Sequence, residues 1–494
     1  MTRSYDGTPK PVGSYPDNGI NVLIVGTGLA GLTAALECVR KGCRVQVLER
    51  YDDINTAGDM YFMGLSATKF FKHWPEMAEQ YKKISMANMW IETYTHDGKL
   101  MVPPQLARDR LRDEDVDPSM PPGVFQLRPL VYRMYVDQIK KLGVPIHFGN
   151  RVVDYYENES KGVGGVITDK GKKFEADIVI AADGIGSKSQ RLLGGQVRAV
   201  STERAMWRAA FPVSYLNKNP EVKEFFRMHE TEDGRREPII RTWLGPGTYA
   251  LTLTRHDVMI WVVNCQSNEN SQEEWSNKAN SEEVVEIINR HVGEVKWAPI
   301  FKELIRLTPA DCIINFKLFW RDPQPKWASP GGRVVNIGDA AHTFLPASSN
   351  GATQAIEDAV SLASCLQIAG RDNIREAVHA HVRMRFIRTA CAQRLGFYNA
   401  HRLQETQWGK VKNEPKLAQP KLPRWVWEHD PEEYTYRVYD RIVQSMRQGV
   451  PLEEDDSIPP NYPPGYKYKP WSLADAVPTM GRGENIDLGG GNWD

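Results

Sequence analysis

The sequence has no CxxC pair; its six cysteines, Cys38, Cys43, Cys265, Cys312, Cys365 and Cys391, are scattered. A structural zinc site or disulfide framework is not expected, no metal ligands are assigned, and a reducing compartment fits best. There is no excess of charge, since Lys+Arg and Asp+Glu both number 62. That removes the electrostatic case for nucleic acid or an anionic membrane as the main partner. No run approaches the roughly 18 apolar residues of a membrane span. Residues 1–20 are polar, with Pro and Gly, and lack the apolar core of a signal peptide. The expectation is a soluble enzyme of the cytoplasm. At 494 residues the chain is too long for one simple domain and comfortable for two or three. Its 14 tryptophans fit an aromatic-lined pocket and ordinary core packing equally well.

What is present is organised around residues 21–50, NVLIVGTGLAGLTAALECVRKGCRVQVLER. A short apolar run over 22–25 reads as a strand. Leu29, Leu32, Ala35, Leu36 and Val39 follow with helical spacing, Gly42 ends the helix, and 45–48 read as a second strand closed by Glu49. Gly26 permits the tight turn, Gly28 lets a pyrophosphate approach the backbone, and Gly31 lets helix and strand pack closely. The helix N-terminus faces the phosphates, and Glu49 can accept hydrogen bonds from a ribose diol. A chance glycine-rich turn does not explain three glycines at this spacing with an acid about twenty residues on, so the unit reads as dinucleotide-binding.

Along the rest of the chain, residues 1–20 form a loose polar arm. Ser66 reads as the N-cap of a short helix over 67–74, stopped by Pro75. Residues 84–102 alternate as a hairpin turning at His96, Asp97 and Gly98. Residues 103–123, charged and proline-rich, are a solvated linker or an active-site lid. A helix is expected over 127–142, a strand over 145–148 and a meander over 152–157 and 164–168. The strand over 178–182 runs into Asp183 and Gly184, a turn at Gly186 and a helix. Residues 200–320 change character: β alternation rich in Trp, Tyr, Thr and Val, with a helix over 281–292, reads as a separate mixed-sheet module. The α/β character then returns, with a strand over 333–337 ending at Gly338 and Asp339, and helices over 351–366 and 374–400. The first module is therefore discontinuous. Residues 406–494 are proline-rich, with one helix over 430–449 and a tail that wraps the surface or is partly disordered.

Three glycine-plus-acid turns at strand ends thus occur in order: GTGLAG with Glu49, AADGIGSKSQR, and GDAAHTFLPASSNGATQAIEDA. With them the chain resembles the class A FAD-dependent monooxygenases, the flavoprotein aromatic hydroxylases. Within these it looks most like the salicylate-hydroxylase-like group and its fungal natural-product relatives. The resemblance covers about residues 20–400, with a weaker echo in WVWEHDPEEY near Trp425. It implies an α/β aromatic-hydroxylase fold. A Rossmann-like FAD-binding domain would be discontinuous over 21–75, 125–200 and 325–405. A mixed β-sheet substrate domain would occupy 76–124 and 201–324, beside an arm over 1–20 and a C-terminal helix and extended tail over 406–494. It implies FAD as cofactor, NADPH as co-substrate, O2 and a small aromatic substrate, and it admits a homodimer.

Carried over residue by residue, Gly26, Gly28, Gly31 and Glu49 match the family's ADP-binding fingerprint, with Arg50 beside them. Arg128 matches an arginine beside the flavin diphosphate. Asp183 and Gly184 match the motif tied to both FAD and NADPH, and Asp339 the acid that binds the ribityl chain. Pro346, Asn350, Gly351 and Ala352 fall in the loop passing the flavin ring, where the next helix points its N-terminus at the ring and stabilises negative charge there. One departure is Ser348, Ser349 and Asn350 before the GA of this loop, where relatives often carry bulkier or glutamine-bearing sequences. In such enzymes NADPH reduces FAD, O2 adds at flavin C4a as a hydroperoxide, and the distal oxygen hydroxylates or epoxidises an electron-rich ring.

Candidate substrate and catalytic residues carry two readings each. Arg208, opening the inserted sheet, either holds a phenolate or protonates an oxygen during rearrangement of an epoxide, or is a surface arginine on a strand edge. Asp59 either lines the ring edge or is a turn aspartate. Trp243, Tyr249 and Trp261 either form an aromatic pocket or pack the sheet. His342 orders its loop, and Arg383, Arg385 and Arg388 read as a solvated helix face. Two alternatives to the monooxygenase stay open: a flavoprotein oxidase or dehydrogenase on the same fold, and a binding protein without redox activity.

Overall fold

The computed structural model describes residues 10, 13–56, 58–110, 124–194, 199–266, 278–290, 292–404, 420–475 and 488–493. Residues 111–123 of the linker-or-lid segment, most of the N-terminal arm, and 405–419 and 476–487 of the C-terminal region lie outside the described residues.

The chain runs β1 (Asn21–Val25), α1 (Leu29–Arg40), β2 (Arg44–Leu48), β3 (Met60–Met63), α2 (Leu65–Thr68) and α3 (Pro75–Ile84). A hairpin of β4 (Trp90–Thr95) and β5 (Leu100–Leu106) follows, then β6 (Val124–Leu127), α4 (Arg128–Lys141) and β7 (Ile146–His147). β8 (Val152–Asn158), β9 (Val163–Thr168) and β10 (Lys173–Ala176) lead into β11 (Ile178–Ala181). Next come β12 (Val200–Pro212), α5 (Pro220–Phe225), β13 (His229–Glu230), β14 (Arg236–Glu237), β15 (Ile239–Gly245), β16 (Thr248–Thr254) and β17 (Val258–Gln266). The chain continues through α6 (Ser281–Arg290), α7 (Pro299–Arg306), β18 (Ile314–Trp320), β19 (Val334–Asn336), α8 (Gly351–Ala369), α9 (Ile374–Gln404), α10 (Arg424–Trp427) and α11 (Pro431–Gln448).

Five strands form a parallel sheet in the order β19-β11-β1-β2-β7. β1 and β11 are continuous apolar runs because both faces of this sheet are covered. Val22, Ile24, Ile178 and Ile180 face α1, α4 and α8. Leu23, Val25, Val179 and Ala181 face the antiparallel meander β8–β10. α8 is buried almost all round, with apolar residues over most of its surface and the acids Glu357 and Asp358 enclosed among them.

The second sheet has seven strands in the order β18-β12-β17-β16-β15-β4-β5, antiparallel except where β4 runs parallel to β15. Pro103 and Pro104 fall in β5, an edge strand, where a missing ladder donor is tolerated. Side chains alternate between two cores. One face carries Trp207, Trp243 and Trp261 against Ile288, Phe301 and Leu304 of α6 and α7. The other carries Met206, Tyr249, Leu253, Ile260 and Trp320 against Leu345, Ala347 and Phe397 of the module built on the parallel sheet.

Three expectations are corrected. Ser66 caps nothing: α2 starts after Gly64, and the Ser66 hydroxyl donates to Glu357 Oε1 at 2.7 Å. After Gly186 the chain makes only a 3-10 turn, Lys188–Arg191. Arg385 and Arg388 are not on a solvated face: they are 1% and 0% exposed and pair with Glu357 and Asp358 of α8. α9 packs against both α8 and α11, so its central turns are largely buried, and Arg383 on it is half-buried against Ser445. Among the described residues no helix is long and apolar enough to cross a membrane.

Candidate active site

The strand–turn–helix at the start of the chain leaves bare backbone where β1 meets α1. Gly26 has φ +101°, and a Cβ there would lie 2.6 Å from Ala182 O. A Cβ on Gly31 would lie 2.0 Å from Gly26 O, so helix and turn pack at a distance only glycine allows. Gly28 differs: its nearest neighbour on that side is 4.0 Å away, and Gly184 and Gly186 have nothing within 4 Å. These three glycines border open space, and Gly28, the N-cap of α1, has no side-chain cap to shield the helix amides.

Glu49, at the end of β2, is 6% exposed and already bonded. Its Oε2 accepts from Thr27 N at 2.9 Å and Thr27 Oγ1 at 2.5 Å, and its Oε1 from Tyr51 N at 3.0 Å. The acid is thereby held against the glycine turn, as a ribose ligand must be. Arg50 is exposed and donates to Tyr51 OH at 3.0 Å. Arg128 opens α4, with Nη1 3.3 Å from Asn55 O and its guanidinium 5.4 Å from the Tyr132 ring.

Two further acids stand at the ends of neighbouring parallel strands. Asp183, just beyond β11, accepts from Tyr155 OH at 2.8 Å. Burial raises its carboxyl above the ordinary value, against hydrogen bonds from Ser187 and Tyr155 that favour the charge. Asp339, just beyond β19, is exposed to the groove yet enclosed by protein. That enclosure raises its carboxyl, opposed by the charges of His342 and Arg321. Asp358 of α8 fixes this turn from behind: its Oδ2 accepts from Gly338 N at 3.0 Å and pairs with His342 Nε2 at 2.6 Å. The loop that follows is shaped by Pro346 at its 3-10 turn, Ser349 at φ +54°, and Asn350, whose Nδ2 donates to Ser348 O at 2.9 Å. Asn350 does not cap α8 through its side chain, so the amides of Gly351 and Ala352 begin the helix unshielded by a cap.

The two candidate catalytic residues come together. Arg208 of β12 forms a bidentate ion pair with Asp59, which precedes β3; their side chains are 12% and 4% exposed. Burial pulls the Arg208 guanidinium below its ordinary range, and the carboxylate in contact acts to retain its charge. Arg208 shares its sheet face with Met206, between Val262 and Ile314 of the adjacent strands. Tyr249 packs with Leu345 and Ala347 on this same side. Trp243 and Trp261 do not: both are 0% exposed on the opposite face. Trp243 stacks on Tyr94 at 5.0 Å, and Trp261 Nε1 donates to Thr308 at 2.8 Å. They are packing residues of the outer core, the plainer of the two readings made from their β alternation.

Thr27, Tyr155, Arg321 and Asp358 were not singled out by sequence reasoning. Asp358 had a signal, in the adjacent acids Glu357 and Asp358 on the helix after the flavin-loop motif. Tyr155 and Arg321 had none, because each reaches the groove from a strand remote in sequence. Taken together, open glycine backbone, two uncapped helix N-termini and acids at three parallel strand ends fit a flavin dinucleotide. Gly26, Gly28, Glu49 and Arg128 would hold its ADP half, Asp339 its ribityl chain, and the 346–352 loop its ring.

Comparison with known proteins agrees with this geometry. The FAD binding domain family model matches residues 77–381, and that of the NAD(P)-binding Rossmann-like domain residues 24–61. The chain belongs to the FAD-dependent monooxygenases, the class A flavoproteins. It is 35% identical to FAD-dependent monooxygenase fsr3 of Gibberella fujikuroi, over 99% of this chain and 92% of that protein. The crystal structure of FqzB matches at 28% identity with TM-score 0.78, covering 92% of this chain and 99% of that one. CtdE in complex with FAD and a substrate matches at 28% identity with TM-score 0.76, covering 87% and 100%. The protein is therefore an enzyme, an FAD-dependent monooxygenase.

Proposed function

We propose that the enzyme uses NADPH and O2 to hydroxylate or epoxidise the aromatic or otherwise electron-rich ring of a small secondary metabolite. The observation that carries this reading is the Arg208–Asp59 pair, set on the sheet face that packs against the loop before α8. In this division residues 21–75, 125–200 and 325–405 bind FAD, and 76–124 and 201–324 bind substrate. Bound FAD supplies the redox chemistry: two electrons come from NADPH, one oxygen atom of O2 goes to the substrate, and the other leaves as water.

The chain's own residues bind, orient and exclude. Asp59 fixes the orientation of the Arg208 guanidinium by holding two of its nitrogens. A guanidinium fixed in this way holds a phenolate oxygen of the substrate and sustains its negative charge, which keeps the ring nucleophilic. The first-turn amides of α8, at Gly351 and Ala352, stabilise negative charge on the cofactor side. Met206, Tyr249, Leu253 and Ile260 give the substrate side an apolar wall that excludes water.

The test is anaerobic reduction of the enzyme-bound flavin by NADPH, followed by stopped-flow absorbance, with and without phenols, indoles and polyketide aromatics. Slow reduction alone and much faster reduction with one compound supports the proposal and names the substrate class. Reduction by the organic compound without NADPH overturns it in favour of an oxidase.

A further inference from the structure

Arg321 stands one residue beyond β18, the edge strand of the seven-stranded sheet, and is 4% exposed. Its side chain does not stay with that sheet. Nη2 donates to Ile185 O at 2.6 Å, two residues past Asp183 in the turn after β11. Nη1 donates to Ala340 O at 3.1 Å, one residue past Asp339 in the turn after β19. Ala340 O also accepts from Gln190 Nε2 at 2.7 Å and Asn336 Nδ2 at 3.1 Å. Three side-chain donors from three segments thus converge on one backbone carbonyl, more than its two lone pairs require. The Arg321 backbone is tied as well: its N–H donates to Thr343 Oγ1 at 2.8 Å. On either side of it, Trp320 Nε1 and Leu473 N both donate to Asp322 Oδ1, each at 2.7 Å.

We propose that Arg321 is a positioning residue of the cofactor groove: it ties the Asp183 turn and the Asp339 turn into one frame and fixes that frame to the edge of the substrate sheet. The proposal rests on the reading of Asp183 and Asp339 as the acids that face the cofactor. A planar fork with several donors suits the task, because one side chain must serve carbonyls on two different turns. The charge has its own effect, since it opposes the burial that raises the Asp339 carboxyl. A lysine keeps the charge but offers one nitrogen for two carbonyls, so the two contributions separate experimentally.

The experiment is a titration of FAD into apo protein of wild type, R321K and R321Q, read by flavin fluorescence across a pH series, with the melting temperature of each apo protein recorded. Both variants are expected to bind FAD about tenfold to a hundredfold more weakly. In R321Q the pH at which binding fails on acidification is expected to move up, because Asp339 loses a positive neighbour. In R321K that pH is expected to stay at the wild-type value. Wild-type affinity in both variants overturns the proposal. Wild-type affinity in R321K alone reduces the role to charge and overturns the bridging claim. A lower melting temperature with unchanged affinity makes Arg321 a structural residue only and overturns it as well. Asp339→Ala protein that binds FAD as tightly as wild type refutes the underlying reading of the acid turns, and the proposal with it.

Discussion

A carboxylate that must bind a ligand and also hold a turn has two jobs, and substitution can separate them. Glu49 accepts from Thr27 N, Thr27 Oγ1 and Tyr51 N, so Glu49→Ala removes internal bonds along with the ribose acceptor. Glu49→Gln keeps an acceptor oxygen and loses the charge. We expect FAD affinity to fall about tenfold to a hundredfold in the alanine variant and less in the glutamine variant, measured by fluorescence titration of apo protein. Unchanged affinity in both would remove Glu49 from the site. Arg208 and Asp59 pose a related problem, since removing either leaves the other buried without its countercharge, at a cost of about 3–5 kcal/mol. Urea denaturation of Arg208→Ala, Asp59→Ala and the double variant is therefore expected to show a double-variant loss well below the sum of the singles. Strict additivity would mean that the pair is not coupled. Product formation should vanish in Arg208→Ala while FAD content stays, and normal product yield would take Arg208 out of the substrate site.

Helices α8 and α9 carry ions where a simple amphipathic reading puts apolar residues. Burial opposes the charge on Glu357, but Arg388 and Arg385 prevail and hold its carboxyl far below the ordinary value. Burial opposes Asp358 in the same way, and His342 and Arg385 prevail. His381 stands beside them at 0% exposed, and burial first, with Arg385 and His342, pulls it down to about 3 despite Asp358. The signs agree. Each group has a folded-state value below its unfolded one, so each contributes stability that is present at neutral pH and lost on acidification. His381 acts first, from about pH 6.5 downward at about 1.4 kcal/mol per pH unit, and the carboxylates act below about pH 4. Urea denaturation at stepped pH is expected to show this slope in wild type and a shallower one in His381→Gln; equal slopes would refute the assignment. The arginines also show where sequence reading stops. In residues 374–404 the periodic pattern gives a helix, and the structure has one there. Arg385 and Arg388 read as surface because arginine usually is. Nothing local reveals that α8 presents Glu357 and Asp358 from the other side. The glycine turns of the groove were legible for the opposite reason: Gly26, Gly28 and Gly31 act within one strand–turn–helix, where spacing alone sets geometry.

At the scale of the whole molecule, the C-terminal region reads as an extended tail from its prolines, and its one long helix shows plainly, with Asp430 at the N-cap, Pro431 at the first turn and Gly449 at φ +70°. Its packing could not be read, because its partners lie hundreds of residues earlier. Glu432 of α11 pairs with Arg40 and Lys41 at the end of α1, and with His73 at 2.6 Å. Arg388 donates to Trp425 O at 2.7 Å and Asn461 O at 2.6 Å, so α9 holds the strap beyond α11 as well. Tyr462, Tyr466 and Trp493 are 7%, 5% and 5% exposed within the same core as β1 and α1. Each such side chain contributes about 1.5–3 kcal/mol by burial, against a net stability of about 5–15 kcal/mol for a folded protein. A chain ending at Gly449 would expose that core and leave Arg388 without the Asn461 carbonyl. We therefore expect it to be recovered insoluble or without a cooperative urea transition. Full-length Trp493→Ala, which keeps the strap and removes one anchor, is expected to fold with a stability lowered by about 3–5 kcal/mol. A chain ending at Gly449 that unfolds cooperatively at the wild-type urea concentration would show that the strap lies on the molecule without supporting it. The anchors at Arg388 and Glu432 would then serve α10 and α11 alone.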